Sequence, residues 1–214
     1  VTQSGSVAAS GLELRGSGPF MLTNAGNAVT TLAGNVTGNV QYTDVDGVAV
    51  GTVSSVGLSA SNFTIIAGGA ITQSQAISTG ALVAKTLNDA GAAITLANAS
   101  NAVTSIDLRT RNAADSANAA GTISFRDTDG FDVVKVSTTD NATLQSGAAV
   151  TQSGSIEAAG LELLGAGPYT LSIAGNDITT LAGNVTNAVT YRDANGVSIG
   201  TVNTVGLTAS DISI

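Results

Sequence analysis

Two stretches decide the reading: VTQSGSVAASGLELRGSGP at residues 1–19 and VTQSGSIEAAGLELLGAGP at residues 150–168. The second is the first displaced by 149 positions, and the register then holds without a gap to Ile214. About 40 of the 65 overlapping positions are identical, and most of the others keep their type: Val7 becomes Ile156, Phe20 becomes Tyr169, Val50 becomes Ile199. Self-similarity at a fixed period marks a stacked repeat architecture, in which one physical role is filled again and again.

A weaker copy lies between these two. It begins with ITQSQAIS at Ile71, continues with AITLANASNAVTSI at Ala93 and ends with FRDTDGFDVVKV at Phe125. The pairs Val1/Ile71, Asn27/Asn101 and Tyr42/Phe125 are offset by 70, 74 and 83 residues, so this copy carries insertions, the larger one near 109–120. The chain therefore divides into unit A (1–70), unit B (71–149) and unit A again, truncated (150–214), within one continuous solenoid. A period of 149 residues suggests an excerpt from a longer array, with any targeting segment upstream of Val1.

Composition narrows the class. Charged residues make up 10% of the chain, against a usual share of about 25%. Aromatics make up 3%, and the 43% of hydrophobic residues is mostly Ala, Val, Leu and Ile diluted by 26 Gly. These numbers suit neither a compact α/β enzyme nor a disordered chain, which would be more charged and poorer in β-branched residues. Cys and His are absent, which removes disulfides, thiol chemistry and the usual neutral-pH acid or base. A net charge of −8 with seven scattered cations argues against a nucleic-acid partner. No apolar run approaches the roughly 20 residues of a membrane span.

Apolar residues alternate with polar or small ones over short runs: Leu12/Leu14, Phe20/Leu22, Val40/Tyr42, Val48/Val50, Phe63/Ile65. Period two over three to five residues predicts short strands with one buried face. Helix is nowhere supported. Short strands that return with Leu, Gly and Asn in place predict an all-β fold, a right-handed parallel β-helix of short strands and Gly/Asn turns. Turns of about 18 to 26 residues are expected, three or four per unit. Asn27, Asn101 and Asn176 each precede a strand and are the expected turn or ladder positions, with Gly47, Gly130 and Gly196 as turn glycines.

The sharpest polar motif is Asp44-Val45-Asp46-Gly47, repeated as Asp127-Thr128-Asp129-Gly130 and Asp193-Ala194-Asn195-Gly196. Paired carboxylates two apart with a following Gly resemble the start of a calcium loop, so Asp44, Asp46, Asp127, Asp129 and Asp193 are the candidate cation ligands. The remainder of such a loop is missing, and a tight turn between strands explains Asp-Gly better. No cofactor other than calcium is expected. Arg126, Asp127, Asp129, Asp132 and Lys135 form the one dense charge group, where a β-helical polysaccharide-acting enzyme would place its chemistry. A solvated face is the favoured reading, and no catalytic residue is assigned. The insertion, with Arg109, Arg111 and Asp115, is a candidate binding loop because insertions in solenoids collect on one face; outside it, turn lengths are expected to be nearly constant. Five Asn-x-Ser/Thr sequons, at Asn35, Asn62, Asn98, Asn141 and Asn184, carry little weight in so Asn- and Thr-rich a chain.

The phrases AVTQSGSI (149–156), GLELLGAGPYTLSIAGNDITTLAGNV (160–185) and YRDANGVSIGTV (191–202) resemble the repeats of filamentous-haemagglutinin-like exoproteins. That resemblance covers essentially the whole chain. It implies a right-handed β-helix, extracellular or bacterial cell-surface localisation, and export by two-partner secretion with an outer-membrane partner. The N-terminal secretion domain of such proteins is not evident. The resemblance therefore implies a shaft segment of a large adhesin. Its expected partners are a host or neighbouring-cell receptor or glycan, in attachment, cell–cell or biofilm contact. No reaction is expected. A self-assembling extracellular filament is the alternative, because a solenoid without a polar cap exposes strand edges.

Overall fold

The computed structural model describes all of residues 1–214 as twenty-two strands without a helix. The strands pair in parallel with strands about one turn further along the chain, giving about ten stacked turns of a β-solenoid. Parallel partners cannot be joined by a tight hairpin. Here the chain instead walks round the coil through one or two further strands before it lies on itself again.

Inward side chains meet their counterparts in the next turn. Phe20, Val40, Phe63, Leu82, Ile106 and Val133 form one column. Val48, Ile71, Ile94, Ile123, Ala142, Leu161 and Leu181 form another. All but Phe20 are buried. Each fully buried large aliphatic contributes about 1.5–3 kcal/mol of apolar transfer, so the stack is held by many small, equivalent layers. One corner column is polar apart from Ala67: Asp44, Ala67, Thr86 and Thr110 succeed one another. There the Thr86 and Thr110 hydroxyls donate to the Ala92 and Ala119 carbonyls at 2.9 and 2.8 Å. The Ala119 carbonyl also accepts from the Thr139 N–H of the next turn at 3.1 Å, so the hydroxyls help to satisfy the buried carbonyls of the turns.

Turn length varies more than the sequence suggests. Successive partners are separated by 18 residues at Thr31/Ala49 and by 29 at Ile94/Ile123. The long turn contains the insertion, which folds into a small arm closed by an antiparallel bridge between Arg111 and Asn118. A second departure from constant length lies in unit A. Residues 51–57 leave the wall as an arm, with an antiparallel bridge between Thr52 and Val56, and residues 200–206 repeat it with Thr201 and Val205. Unit B has no such arm, because its strand Asp132–Ser137 runs straight through.

Outward positions can be followed along the rod by the same register. Gly11, Thr31, Ala49, Thr72, Thr95, Ser124, Thr143 and Glu162 are successive partners. Glu162 lies two residues beyond Gly160, the equivalent of Gly11. One 149-residue period is therefore seven turns, and the two unit A arms stand on the same face. At about 4.8 Å per strand spacing, the period spans about 34 Å along the axis.

Candidate functional site

The three predicted asparagines occupy equivalent, fully buried sites. Asn101 is representative. Its Nδ2 donates to the carbonyls of Leu96 (3.1 Å) and Arg126 (2.9 Å) and to Gln73 Oε1 (3.0 Å). Its Oδ1 accepts from the Ile77 N–H (2.9 Å) and from Gln73 Nε2 (2.8 Å). Residues 73–77, 96–101 and 126 belong to three consecutive turns, so a single side chain ties them together. Asn27 does the same with Gln3, Val7, Leu22 and Thr43, and Asn176 with Gln152, Ile156, Leu171 and Arg192. They stand a whole unit apart and do not bond to one another as a ladder would. An asparagine pair stacked between adjacent turns occurs instead at the surface, where Asn62 donates to Asn39 at 3.0 Å. Gln3, Gln73 and Gln152 were not singled out from sequence, although the shared phrase TQS holds each of them.

The Asp-x-Asp/Asn-Gly segments are corners of the coil and not hairpins, since the strands on either side pair with other turns. Asp44 is buried, and its carboxylate accepts from the Val29 N–H (2.8 Å), the Tyr42 hydroxyl (2.6 Å) and the Asp46 N–H (2.9 Å). Asp193 accepts from the Ile178 N–H, the Tyr191 hydroxyl and the Asn195 and Gly196 N–H groups. Burial raises the Asp193 pKa, but these donors outweigh burial and hold it below the ordinary value. In unit B, Phe125 replaces the tyrosine and its ring meets Phe131 edge-on at 5.1 Å. Asp127 therefore keeps only the Val103 and Asp129 N–H donors, and burial pushes its carboxyl upward. The first Asp of each motif thus spends its oxygens on the turn. Asp46 and Asp129 lend it their backbone N–H, and no group of three or more acidic side chains converges. Of the three predicted turn glycines only Gly196 has a positive φ, of 106°. Gly47 and Gly130 are required for another reason: a Cβ would lie 2.9 and 2.0 Å from the Ala70 and Ala149 carbonyl oxygens of the next turn.

The dense charge group is not gathered into one site. Asp127 points into the corner. Asp132 accepts from the Thr151 and Ser153 hydroxyls in the neighbouring turn, and Lys135 pairs with Glu157 and Ser155. Asp129 is exposed with its carboxylate unpaired, and Arg126 faces outward in a groove of about 240 Å³ lined by Asp127, Thr128, Gln145, Gly147 and Gly165 among others.

The insertion is pinned rather than loose. Asp115, at φ 54°, holds Lys85 at 2.6 Å and Arg111 at 3.1 Å, Arg109 pairs with Asp107, and Asn118 donates to Glu157. The unit A arms are gripped by a carboxylate that sequence reading passed over. Glu13 accepts from the Ser54 and Ser55 N–H groups and the Ser55 hydroxyl, 41 and 42 residues away. Glu162 accepts from Asn203, Thr204 and Thr143. Val53 folds over Gly11, where a Cβ would come within 3.1 Å of it, and Val202 lies in the same way over Gly160 at 2.8 Å. The outward-facing Ala33 and Ala182 are thereby buried. Identical Gly, Glu and Val residues at a spacing of 149 carried this signal, but it is legible only once the arm is seen to reach back over two turns.

The family model described as "Repeats of unknown function (DUF5649)" matches residues 37–107 and 120–184, well over half of the chain and on either side of the insertion. No curated protein matches, and no solved structure matches.

Proposed function

The chain belongs to that family of repeats, and we propose that it is a shaft segment of a large surface-exposed or secreted bacterial filament, holding a distal adhesive region away from the cell. The observation that carries this reading is the unbroken parallel stack, in which the same Asn knot, Asp corner and Glu-gripped arm return after seven turns. Such a stack extends by repetition without changing its cross-section. We assign it no reaction, since Asp127, Asp132 and Lys135 are each committed to separate structural partners. Extracellular placement, two-partner export and attachment to a receptor or glycan belong to this proposal and rest on the haemagglutinin-like phrases.

The test uses cells that display the chain with one or more added copies of residues 1–149 beneath a binding tip. A shaft increases the spacing between adhering cells by about 34 Å per added period and leaves the number of adherent cells unchanged. Adhesion that rises with the number of periods while spacing stays constant would refute the shaft and favour lateral self-association.

A further inference from the structure

Of the seven cationic side chains, five are held in ion pairs: Arg15, Lys85, Arg109, Arg111 and Lys135. Arg192 lies on the open surface. Arg126 is half-buried and lines the one groove of the molecule. Its neighbour across the sheet is Gln145, and Thr128 stands at the turn beside them. The side chains of Arg126, Gln145 and Thr128 donate to and accept from nothing within the chain, as is true also of the exposed Asp46 and Asp129 carboxylates.

The repeat supplies a control. In the first unit A copy the equivalents of the stacked pair Arg126/Gln145 are Thr43/Ile66, paired in the same register, whereas the second copy carries Arg192 at the position of Arg126. The wall needs no cation or amide at these positions, because Thr and Ile build the same strand in the first unit A copy. The floor of the groove is kept open by Gly165, whose φ of +93° and 2.3 Å approach to the Ser146 carbonyl oxygen exclude a side chain. Guanidinium and amide therefore stand free over a concavity that the fold holds empty of its own atoms.

From this geometry we infer that the Arg126 groove is a binding site for a single carboxylated sugar, a hexuronate ring. The guanidinium takes the carboxylate in a two-pronged bond, as this planar fork does in preference to an ammonium. Gln145 and Thr128, with donors and acceptors both free, take ring hydroxyls. A volume of about 240 Å³ falls below the roughly 300–1,000 Å³ of sites for drug-sized ligands, which limits the occupant to one ring. The inference stands apart from the shaft reading, since a rod without this site would still be a rod.

The test is a titration of the isotopically labelled chain with glucuronate, followed by amide NMR, alongside glucose and acetate. Glucuronate is expected to bind with a Kd on the order of 1 mM, the strength of one ring at ordinary ligand efficiency, with shifts confined to the neighbourhood of Gln145, Gly147 and Gly165. Arg126→Gln should weaken it about tenfold or more and Arg192→Gln should leave it unchanged; both are surface substitutions that preserve the fold, as the remaining spectrum will report. Acetate binding as tightly as glucuronate would overturn the sugar site and leave a bare anion contact. Absence of localised shifts, or an Arg126→Gln variant that binds like the parent, would overturn the site altogether.

Discussion

Asn101→Ala should be among the most damaging single substitutions in unit B. The side chain is fully buried, and its removal leaves the Ile77 N–H without the acceptor it has at 2.9 Å and the Leu96 and Arg126 carbonyls without their donor. An unsatisfied buried donor costs about 1–3 kcal/mol and each lost carbonyl bond about 1 kcal/mol, so the expected loss is about 3–5 kcal/mol. At a urea m-value of about 3 kcal/mol per molar, the unfolding midpoint falls by roughly 1–1.7 M. Asn39→Ala, which deletes one surface bond from Asn62, should move it by less than about 0.3 M. Asn101→Asp separates the two halves of the argument. It retains the acceptor for Ile77 but sets a carboxylate against two carbonyls, so at neutral pH it should be no more stable than the alanine variant. A midpoint for Asn101→Ala within the range of the Asn39 control, with hydrogen-exchange protection of Ile77 unchanged, would refute the three-turn knot.

The arms make a pH prediction. Hydrogen bonds from Ser55, with Arg15 and Ser54 in support, pull the Glu13 carboxyl from 4.5 down to about 2, against the effect of burial. A carboxylate depressed in the folded state stabilises it above the unfolded value and loses that contribution as the pH falls through the folded one. The grip on residues 51–57 should therefore persist at pH 4.5 and fail toward pH 2, read from the Ser55 amide shift; a transition centred near 4.5 would show that the carboxylate does not hold the arm. Gly130→Ala should cost about 2–4 kcal/mol, because its Cβ would stand 2.0 Å from the Ala149 carbonyl oxygen and backbone must move. Gly5→Ala, with nothing within 4 Å, should be neutral or slightly stabilising in denaturant unfolding.

The fold was legible because its signal is carried twice. Alternation at Val40/Tyr42 or Phe63/Ile65 marks a strand, and recurrence of the same residues 149 positions on demands that each strand meet the same neighbours. Asn27, Asn101 and Asn176 were legible for a related reason: a residue type poorly suited to strands, kept beside one in every unit, has a backbone task. The Asp-Gly segments were legible as tight turns between strands, but not which strands they join. Local turn chemistry is the same whether the next strand returns alongside or passes to another face, and only pairing distinguishes them. For Gly47 and Gly130 the cause was invisible, because it is the carbonyl of the turn above and not the residue's own φ.

What remained illegible shares one property: it joins residues whose separation is not that of adjacent turns. Glu13 and Ser55 are 42 residues apart, a distance set by an arm that crosses one turn to reach the one beneath. Periodicity analysis looks for equal residues at equal spacing and passes over a carboxylate and a hydroxyl that meet at twice the coil length. The same property separates structure from function along this rod. Positions filled alike in both unit A copies and in B, such as the Asn and Gln of the knots, are accounted for by the stack. A polar residue that has no partner and that another copy of the same position replaces with a smaller one, as Thr43 stands for Arg126 in the first unit A, is accounted for by nothing in the stack. In a solenoid the break in the repeat is therefore a place to look for a ligand, and unit B, with its missing arm and its insertion, holds most of the breaks.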